Sequence, residues 1–217
     1  MEKKRAVIFA NGEVRDMKRL QSILREDDVL IAADGGLRYI YSLGLRPSYL
    51  VGDLDSVSLE EINQAKNDGV EILQFPPGKD ETDLQLAIDI AIEKGFDDIL
   101  ITAALGGRLD QTLGNIFLLG RDGYSGALIR MDDGMEEVFL IHDTARIWGA
   151  PGDTVSLLPL GGPVLGVITE DLQYPLKSET LFPDRTRGIS NIMLEESVRV
   201  SIASGTLICI HTRLITG

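Results

Sequence analysis

The chain has 217 residues, 44% of them hydrophobic, so it is long enough for one large core or two smaller ones and is unlike a disordered protein. It carries 34 acidic and 21 basic residues, and the formal net charge of −13 argues against a partner that is a nucleic acid or an anionic membrane. A small molecule or a cation fits this charge better.

The compartment follows from three negative features of the sequence. Cys209 is the single cysteine, so no intramolecular disulfide can form. No apolar run approaches the roughly 18 residues of a membrane span, and the charged residues 1–5 lead into an apolar run too short for a signal peptide. We therefore expect a cytoplasmic protein.

From Ala6 to about Met131, short apolar runs alternate with longer amphipathic ones, as in a mostly parallel sheet covered by helices. The clearest helix is 82–94, because its apolar residues recur at helical spacing and Thr82 can cap its start. The predicted strands are 6–10, 29–33, 49–51, 70–75, 99–103 and 127–130. The predicted helices are 16–25, 36–43, 58–67, 82–94 and 110–119.

After about Met135 the pattern changes to short β-rich runs separated by Gly, Pro and Asp turns. The predicted strands here are 138–141, 154–158, 164–169, 198–202 and 206–212. The fold class we expect is a three-layer, mostly parallel α/β domain over 1–134, followed by an all-β sandwich over 135–217. The alternative is that the later strands merely extend the first sheet.

Acidic residues gather where strands end and helices begin, the edge at which such sheets bind ligands. Asp53 and Asp55 follow the third strand, and residues two apart on an extended segment point to the same side, so their carboxylates can converge. Asp80 and Asp83 stand three apart at the start of the clearest helix, whose free N–H groups offer an anion site. This edge can hold a cation and the phosphate that it bridges.

Converging carboxylates need a counter-charge, since two like charges about 4 Å apart repel by about 4 kcal/mol at an effective dielectric near 20. Lys79 and Arg108 are the few basic residues nearby, whereas Mg²⁺ favours one or two carboxylates with phosphate oxygens and water. Any one of these acids alone is typical of a helix cap or a solvated turn. Together they favour magnesium with a nucleotide polyphosphate.

Two glycine pairs lie at other strand ends. The segment Asp34-Gly35-Gly36 follows the second strand, and Gly106-Gly107-Arg108 follows the fifth. Paired glycines let backbone N–H groups approach a phosphate, and an arginine can bind its oxygens.

His142 and His211 lie in the β region without a cysteine partner, which argues against zinc or a histidine-based triad.

These motifs, in this order, resemble the thiamine pyrophosphokinase (thiamine diphosphokinase) family. The motifs that match run through most of the chain: Ala33-Asp34-Gly35-Gly36, Gly52-Asp53-Leu54-Asp55-Ser56, Asp80-Glu81-Thr82-Asp83, Gly106-Gly107-Arg108-Leu109-Asp110 with Asn115 following, the stretch from Thr169 to Tyr174-Pro175-Leu176, and Gly188-Ile189-Ser190-Asn191. Each is short, and their order and spacing make the set specific.

The resemblance implies a nucleotide-binding catalytic domain, a thiamine-binding β-sandwich, and a homodimer with active sites between subunits. It implies Mg²⁺ and ATP as donor, thiamine as acceptor, and thiamine diphosphate and AMP as products. By the same resemblance, Asp53, Asp55 and Asp83 would hold magnesium, and Asp34, Gly35, Gly36, Gly106 and Gly107 would bind ATP. Asp80, Thr82, Arg108 and Asp110 would order the triphosphate and the attacking hydroxyl, while Gln111, Tyr174, Ser190 and Asn191 would contact thiamine.

Three residues depart from the family pattern. Gln111 stands where many members have histidine, so we do not assign it as a base. Ala103 and Asp171 stand where glycine is frequent.

The resemblance predicts direct in-line diphosphoryl transfer, with Asp80 or Asp110 as the acceptor of the hydroxyl proton. One alternative function is transfer to another hydroxymethyl heterocycle such as a pterin. Another is non-catalytic sensing of a nucleotide or thiamine.

Overall fold

The computed structural model describes residues 4–214, and its chain divides into two compact units between Gly134 and Met135. The predicted domains also include residues 1–3 and 215–217, which lie outside the described residues. The first unit alternates strands with helices, and the described part of the second is built from strands and turns. The predicted fold class, an α/β unit followed by an all-β unit, is confirmed.

The sheet of the first unit is parallel, with its strands in the order β6-β5-β1-β2-β3-β4. Its strands are β1 (Ala6–Phe9), β2 (Val29–Ala33), β3 (Tyr49–Gly52), β4 (Glu71–Gln74), β5 (Asp98–Thr102) and β6 (Leu128–Asp132). Because all six run the same way, their carboxyl ends meet at one edge, which is the edge where the acidic residues follow.

The helices of this unit are α1 (Met17–Ile23), α2 (Leu37–Ser42), α3 (Leu59–Asn67), α4 (Asp83–Glu93) and α5 (Leu109–Leu118). All five helices predicted from spacing are present, with ends shifted by no more than two residues. The largest difference is at the end of predicted helix 16–25, since α1 ends at Ile23. At predicted helix 36–43, a 3₁₀ turn, Asp34–Gly36, precedes α2. Paired glycines explain this tighter turn.

Side-chain caps fix where α3 and α4 begin. The Ser58 hydroxyl accepts from the Glu61 backbone N–H, and the Glu61 carboxylate accepts in return from the Ser58 N–H, a capping box at α3. Thr82 accepts from the Gln85 N–H and so places Asp83 at the first position of α4. Caps of this kind contribute about 1 kcal/mol each to the free energy of unfolding.

Both faces of the first sheet are buried. Val7 and Phe9 of β1 join one apolar cluster with residues from α1, α2 and α3, while Ile8, which points the other way, is also fully buried. Helix α4 packs against β1, β2 and β3 through residues that include Ala87 and Ile88. The layers therefore hold the strand ends in a fixed arrangement.

The second unit contains two antiparallel sheets, ordered β12-β9-β14-β7 and β11-β10-β13-β8. Its strands are β7 (Glu136–Ile141), β8 (Thr144–Trp148), β9 (Thr154–Pro159), β10 (Val164–Glu170), β11 (Lys177–Leu181), β12 (Asn191–Ile192), β13 (Ser197–Ser201) and β14 (Leu207–Thr212). Three of these, β8, β11 and β12, were not predicted. Each lies at the edge of a sheet within this unit; β12 has two residues, and most residues of β8 and β11 are exposed.

Residues from both sheets of the second unit form one apolar core, which makes this unit a sandwich. Cys209 of β14 lies within this core, where burial, and secondarily the charge of Glu137, raises the pKa of its thiol. It is a packing residue, as its apolar neighbours in the sequence indicate.

Across residues 4–214, none of the helices combines the length and the hydropathy that a membrane span requires.

Candidate active site

A cleft of about 500 Å³ opens at the carboxyl edge of the parallel sheet. Its walls come from the ends of β1, β2 and β5 and from the first turns of α4 and α5. The residues that line it include Asn11, Gly12, Asp34, Asp55, Thr82, Asp83, Gln85, Gly106, Asp110, Gln111 and Asn115. A cleft of this size at this edge is a typical small-molecule site.

Three carboxylates meet at this edge and form what we call the acid group: Asp34, Asp53 and Asp83. Each offers an oxygen, and these oxygens all lie within 4.8 Å of one another. Asp34 is 5% exposed, and the other two are half-buried. Neighbouring strands β2 and β3 supply Asp34 and Asp53, and the first residue of α4 supplies Asp83.

The acid group differs from the predicted set, because Asp34 takes the place of Asp55. The prediction required an extended segment, but Leu54 adopts a left-handed conformation with φ of 67°. This turn ends the alternation of side chains between Asp53 and Asp55. Asp55 is exposed, lines the cleft and accepts a hydrogen bond from the Ser56 hydroxyl at 2.9 Å.

The glycines after Asp34 serve close packing. A Cβ on Gly36 would lie 1.8 Å from the backbone oxygen of Phe9, and one on Gly35 would lie 2.5 Å from Asn11 Oδ1. Neither glycine lines the cleft, so the phosphate contact predicted for them is not visible in the geometry. They let the 3₁₀ turn approach β1 and thereby set the position of the Asp34 carboxylate.

Lys79 supplies a positive charge to the acid group. Its Nζ lies 2.8 Å from Asp83 Oδ1 and 3.6 Å from Asp53 Oδ2. Burial alone would lower the pKa of Lys79, but the Asp83 and Asp53 carboxylates outweigh burial and raise it, so the ammonium is charged at neutral pH. Each carboxylate pair in the acid group repels by about 3 kcal/mol at an effective dielectric near 20, and one ammonium offsets only part of this.

Arg108 and Asp110 form a two-point ion pair at the start of α5. The Arg108 Nε lies 3.1 Å from Asp110 Oδ1, and Nη2 lies 2.6 Å from Oδ2. Both side chains are exposed. Hydrogen bonds from the Arg108 side chain and from the Gln111 backbone lower the pKa of Asp110, and Asp110 in turn raises the pKa of Arg108.

The remaining predicted residues of the first unit divide between the cleft and its surroundings. Thr82, Gly106 and Gln111 line the cleft, whereas Gly107, Arg108 and the exposed Asp80 do not.

Asn11, Gly12 and Gln85 are polar or glycine residues of the cleft that were not predicted from the sequence. The rule that identified Asp53 would also have found Asn11 and Gly12, because they follow the carboxyl end of β1. Gln85 lies in the first turn of α4, beside the cap that was predicted.

A second cavity, of about 360 Å³, lies in the β unit and is lined by residues that include Tyr174, Arg187 and Asn191. The Asn191 amide holds the Tyr174 backbone, since Oδ1 accepts from the Tyr174 N–H at 2.9 Å and Nδ2 donates to its carbonyl at 2.7 Å. Tyr174 is 55% exposed. Ser190, which is not among the lining residues, donates its backbone N–H to Ser156 Oγ.

The chain thus combines a parallel α/β unit, which has an acidic cleft at its strand ends, with an antiparallel β-sandwich that has its own cavity. This architecture is typical of a protein that binds small molecules in an α/β unit. The family model described as the thiamin pyrophosphokinase catalytic domain matches residues 20–139. The model described as the thiamin pyrophosphokinase vitamin B1 binding domain matches residues 143–207. The chain belongs to the thiamine pyrophosphokinase family.

Individual relatives agree with this membership. The chain is 27% identical over 215 residues to the thiamine pyrophosphokinase of Bacillus subtilis, covering 94% of this chain and 97% of that protein. It is 26% identical over 209 residues to thiamine pyrophosphokinase 1 of Oryza sativa, covering 84% and 78%. The crystal structure of the Bacillus subtilis enzyme has a TM-score of 0.87, covering 98% of this chain and 100% of that one.

Proposed function

We propose that this protein is a thiamine diphosphokinase, which transfers the terminal diphosphoryl group of ATP to the hydroxyl of thiamine and releases AMP. The observation that carries the proposal is the acid group Asp34, Asp53 and Asp83, placed beside a cleft in a member of this family. We place the activity in the cytoplasm, as the sequence suggests.

The acid group suits a divalent cation, and we propose Mg²⁺. Carboxylate oxygens are the hard ligands that Mg²⁺ prefers, and three carboxylates with one ammonium leave two negative charges. Asp83 Oδ1 is buried and, although it is at ion-pair distance from Lys79, accepts no hydrogen bond from the described groups. Asp34, Asp53 and Asp83 would hold the ion, which supplies positive charge against the polyphosphate. Asp55 lines the cleft next to them and stays a predicted ligand.

The ends of two helices supply groups that can bind the triphosphate. Thr82 and the first turn of α4 line the cleft, as do Gly106 and the first turn of α5. Backbone N–H groups at helix starts favour anions. We propose that Arg108 exchanges its ion pair with Asp110 for phosphate oxygens and stabilises the charge of the transition state there.

The reaction forms a bond between the thiamine hydroxyl oxygen and the β-phosphorus. The bond from the β-phosphorus to the oxygen that bridges it to the α-phosphorus breaks, and AMP leaves with that electron pair. Asp110 is a weak base while it is paired with Arg108, because the ion pair lowers its pKa. Asp80 carries no such pairing among the contacts of the described residues, so Asp80 and Asp110 both stay candidates for the base.

We propose that Tyr174, Ser190 and Asn191, together with Gln111, contact thiamine. The exposed ring of Tyr174 offers an aromatic face to a heterocyclic cation, and Asn191 fixes the backbone that carries this ring.

We also propose a homodimer in which two copies build each active site. Leu109, Leu113 and Phe117 lie along one exposed stripe of α5, which suits such an association.

A substrate panel tests the proposal. The purified protein is incubated with ATP and Mg²⁺ and with thiamine or a hydroxymethylpterin, and the products are separated. We expect thiamine diphosphate and AMP with thiamine alone, and a loss of at least about a hundredfold in Asp83→Asn. AMP formed with the pterin alone would favour the alternative acceptor, and binding of thiamine without AMP would favour a sensor.

A further inference from the structure

The ammonium group of Lys79 is held in place, although lysine is normally a mobile surface residue. Its side chain is 10% exposed, and its Nζ contacts two members of the acid group, Asp53 and Asp83. A lysine whose stem is buried and whose charge meets two carboxylates has lost most of its rotamer freedom. The ammonium is therefore held at the site by its two ion pairs.

The contacts of Lys79 conflict with metal binding at the same carboxylates. Asp53 and Asp83 are two of the three residues that we propose as ligands, and the Lys79 ammonium occupies the space beside their oxygens that a bound metal ion requires. Two cations at one pair of carboxylates also repel each other. Binding of the metal ion and the present position of Lys79 therefore oppose each other.

The chain allows Lys79 to leave without moving the acids. Asp83 is the first residue of α4, whose start is fixed by the Thr82 cap and whose apolar face is buried. Lys79 lies four residues earlier, in the segment between β4 and α4 that has no regular secondary structure. Its four-carbon stem can rotate the ammonium away while the helix stays in place.

We propose that Lys79 is a tethered counter-cation, which holds the acid group together when no divalent cation is bound and is displaced from Asp83 when one binds. The inference rests on the metal-binding part of the proposed function. It adds that a divalent cation must displace the Lys79 ammonium from Asp83, which weakens binding of that cation. Removing the ammonium strengthens divalent-cation binding in the absence of nucleotide. It also destabilises the cation-free protein, since the three carboxylates then repel without compensation.

The test is calorimetric titration of Mn²⁺, without nucleotide, into the wild type, Lys79→Met and Lys94→Met. Lys94 is a matched control, because it pairs with Glu71 at 3.2 Å on the exposed surface of the same unit, and its loss changes the net charge equally. We expect Lys79→Met to bind Mn²⁺ at least about fivefold more tightly than either reference. In chelator, Lys79→Met unfolds at a lower temperature than Lys94→Met, and Mn²⁺ removes this difference.

A second measurement uses the unmodified protein, in case Lys79→Met does not fold. Acetylation of lysines is followed by mass spectrometry with and without Mn²⁺. We expect Lys79 to react faster when Mn²⁺ is bound, while the rate at Lys94 is unchanged. A rate at Lys79 that is unchanged or lower with Mn²⁺ would overturn the inference.

Other outcomes separate this inference from the proposed function. If Asp83→Asn binds Mn²⁺ as well as the wild type, the proposed metal site fails and the inference fails with it. If Asp83→Asn loses binding but Lys79→Met binds Mn²⁺ no more tightly than Lys94→Met, Lys79 is not a competitor and the inference alone is overturned.

Discussion

Gly52 leaves the space that the carboxylate of Asp83 occupies. A Cβ built on Gly52 would lie 3.0 Å from Asp83 Oδ1 and 3.2 Å from the Cβ of Asp34, and the backbone of Gly52 has a φ of 145°. The last residue of β3, which has no side chain, thus leaves room for two members of the acid group. Residues that touch no substrate can control the geometry of such a site.

Gly52→Ala is expected to lower activity by at least about tenfold, because the new methyl group displaces the Asp83 carboxylate. The matched control is Gly44→Ala, where φ is also positive, at 70°, but no atom lies within 4 Å of the added Cβ. Steady-state kinetics and urea unfolding are measured on both variants. Backbone strain destabilises both of them, whereas displacement of the Asp83 carboxylate lowers the activity of Gly52→Ala alone. Equal activity in the two variants would show that Gly52 has no part in arranging the acids.

Asp171, one of the departures from the family pattern, has a left-handed backbone with φ of 64° and is exposed. We expect Asp171→Gly to be more stable than Asp171→Ala by about 1 kcal/mol, since alanine is strained in this conformation. At the neighbouring Glu170, which lies in β10, the order should reverse. The free energy of unfolding is measured in urea for the Gly and Ala variants at both positions. If the Gly variant were the more stable one at Glu170 as well as at Asp171, backbone strain would not explain the result.

Asp153 connects the turn before β9 to the last strand of the β unit. Burial opposes its ionisation, but the backbone N–H groups of Leu214 and Ala150 and the ring of His211, 2.9 Å away, outweigh burial and lower its pKa. A carboxylate with a lowered pKa stabilises the fold above its unfolded-state pKa, and this stabilisation is lost as the pH falls through the lowered value.

Asp153→Asn should therefore reduce the free energy of unfolding by about 1–2 kcal/mol at pH 7, and the deficit should shrink as the pH falls below about 4. Chemical denaturation between pH 3 and pH 7 measures it. The exposed Asp184 serves as the control, and Asp184→Asn should show no such dependence. A deficit for Asp153→Asn that is constant with pH would contradict the assignment.

Asn191 is expected to act on thiamine binding through Tyr174. Asn191→Ala removes both hydrogen bonds to the Tyr174 backbone, so the aromatic face loses its fixed position. We expect the KM for thiamine to rise about tenfold while the KM for ATP stays within about twofold. Initial-rate kinetics with each substrate varied provide the comparison. An equal rise in both KM values would indicate a general loss of structure.

The order of helices and strands in the first unit follows from local chemistry. Apolar residues at helical spacing predicted α4, and Thr82 placed its start correctly, because periodicity and caps are local properties. The edge strands β8, β11 and β12 were missed because an edge strand has one partner and tolerates polar residues.

The acid group was only partly predictable for a different reason. Asp53 and Asp83 follow from strand ends and helix starts, which the sequence marks. Asp34 joins them because β2 pairs with β3, a neighbour relationship that local sequence does not encode. Asp55 stands apart because Leu54 adopts a left-handed conformation, which is uncommon for leucine and carries no sequence signal.

The most direct test of the account follows the phosphorus atoms of ATP during one reaction with thiamine and Mg²⁺. With ATP labelled at either the α- or the γ-phosphorus, we expect the α-label in AMP, the γ-label in thiamine diphosphate, and equal amounts of the two products. Release of ADP with a single phosphoryl group on thiamine would contradict diphosphoryl transfer. Absence of any labelled thiamine product from active, folded protein would contradict the proposed function itself.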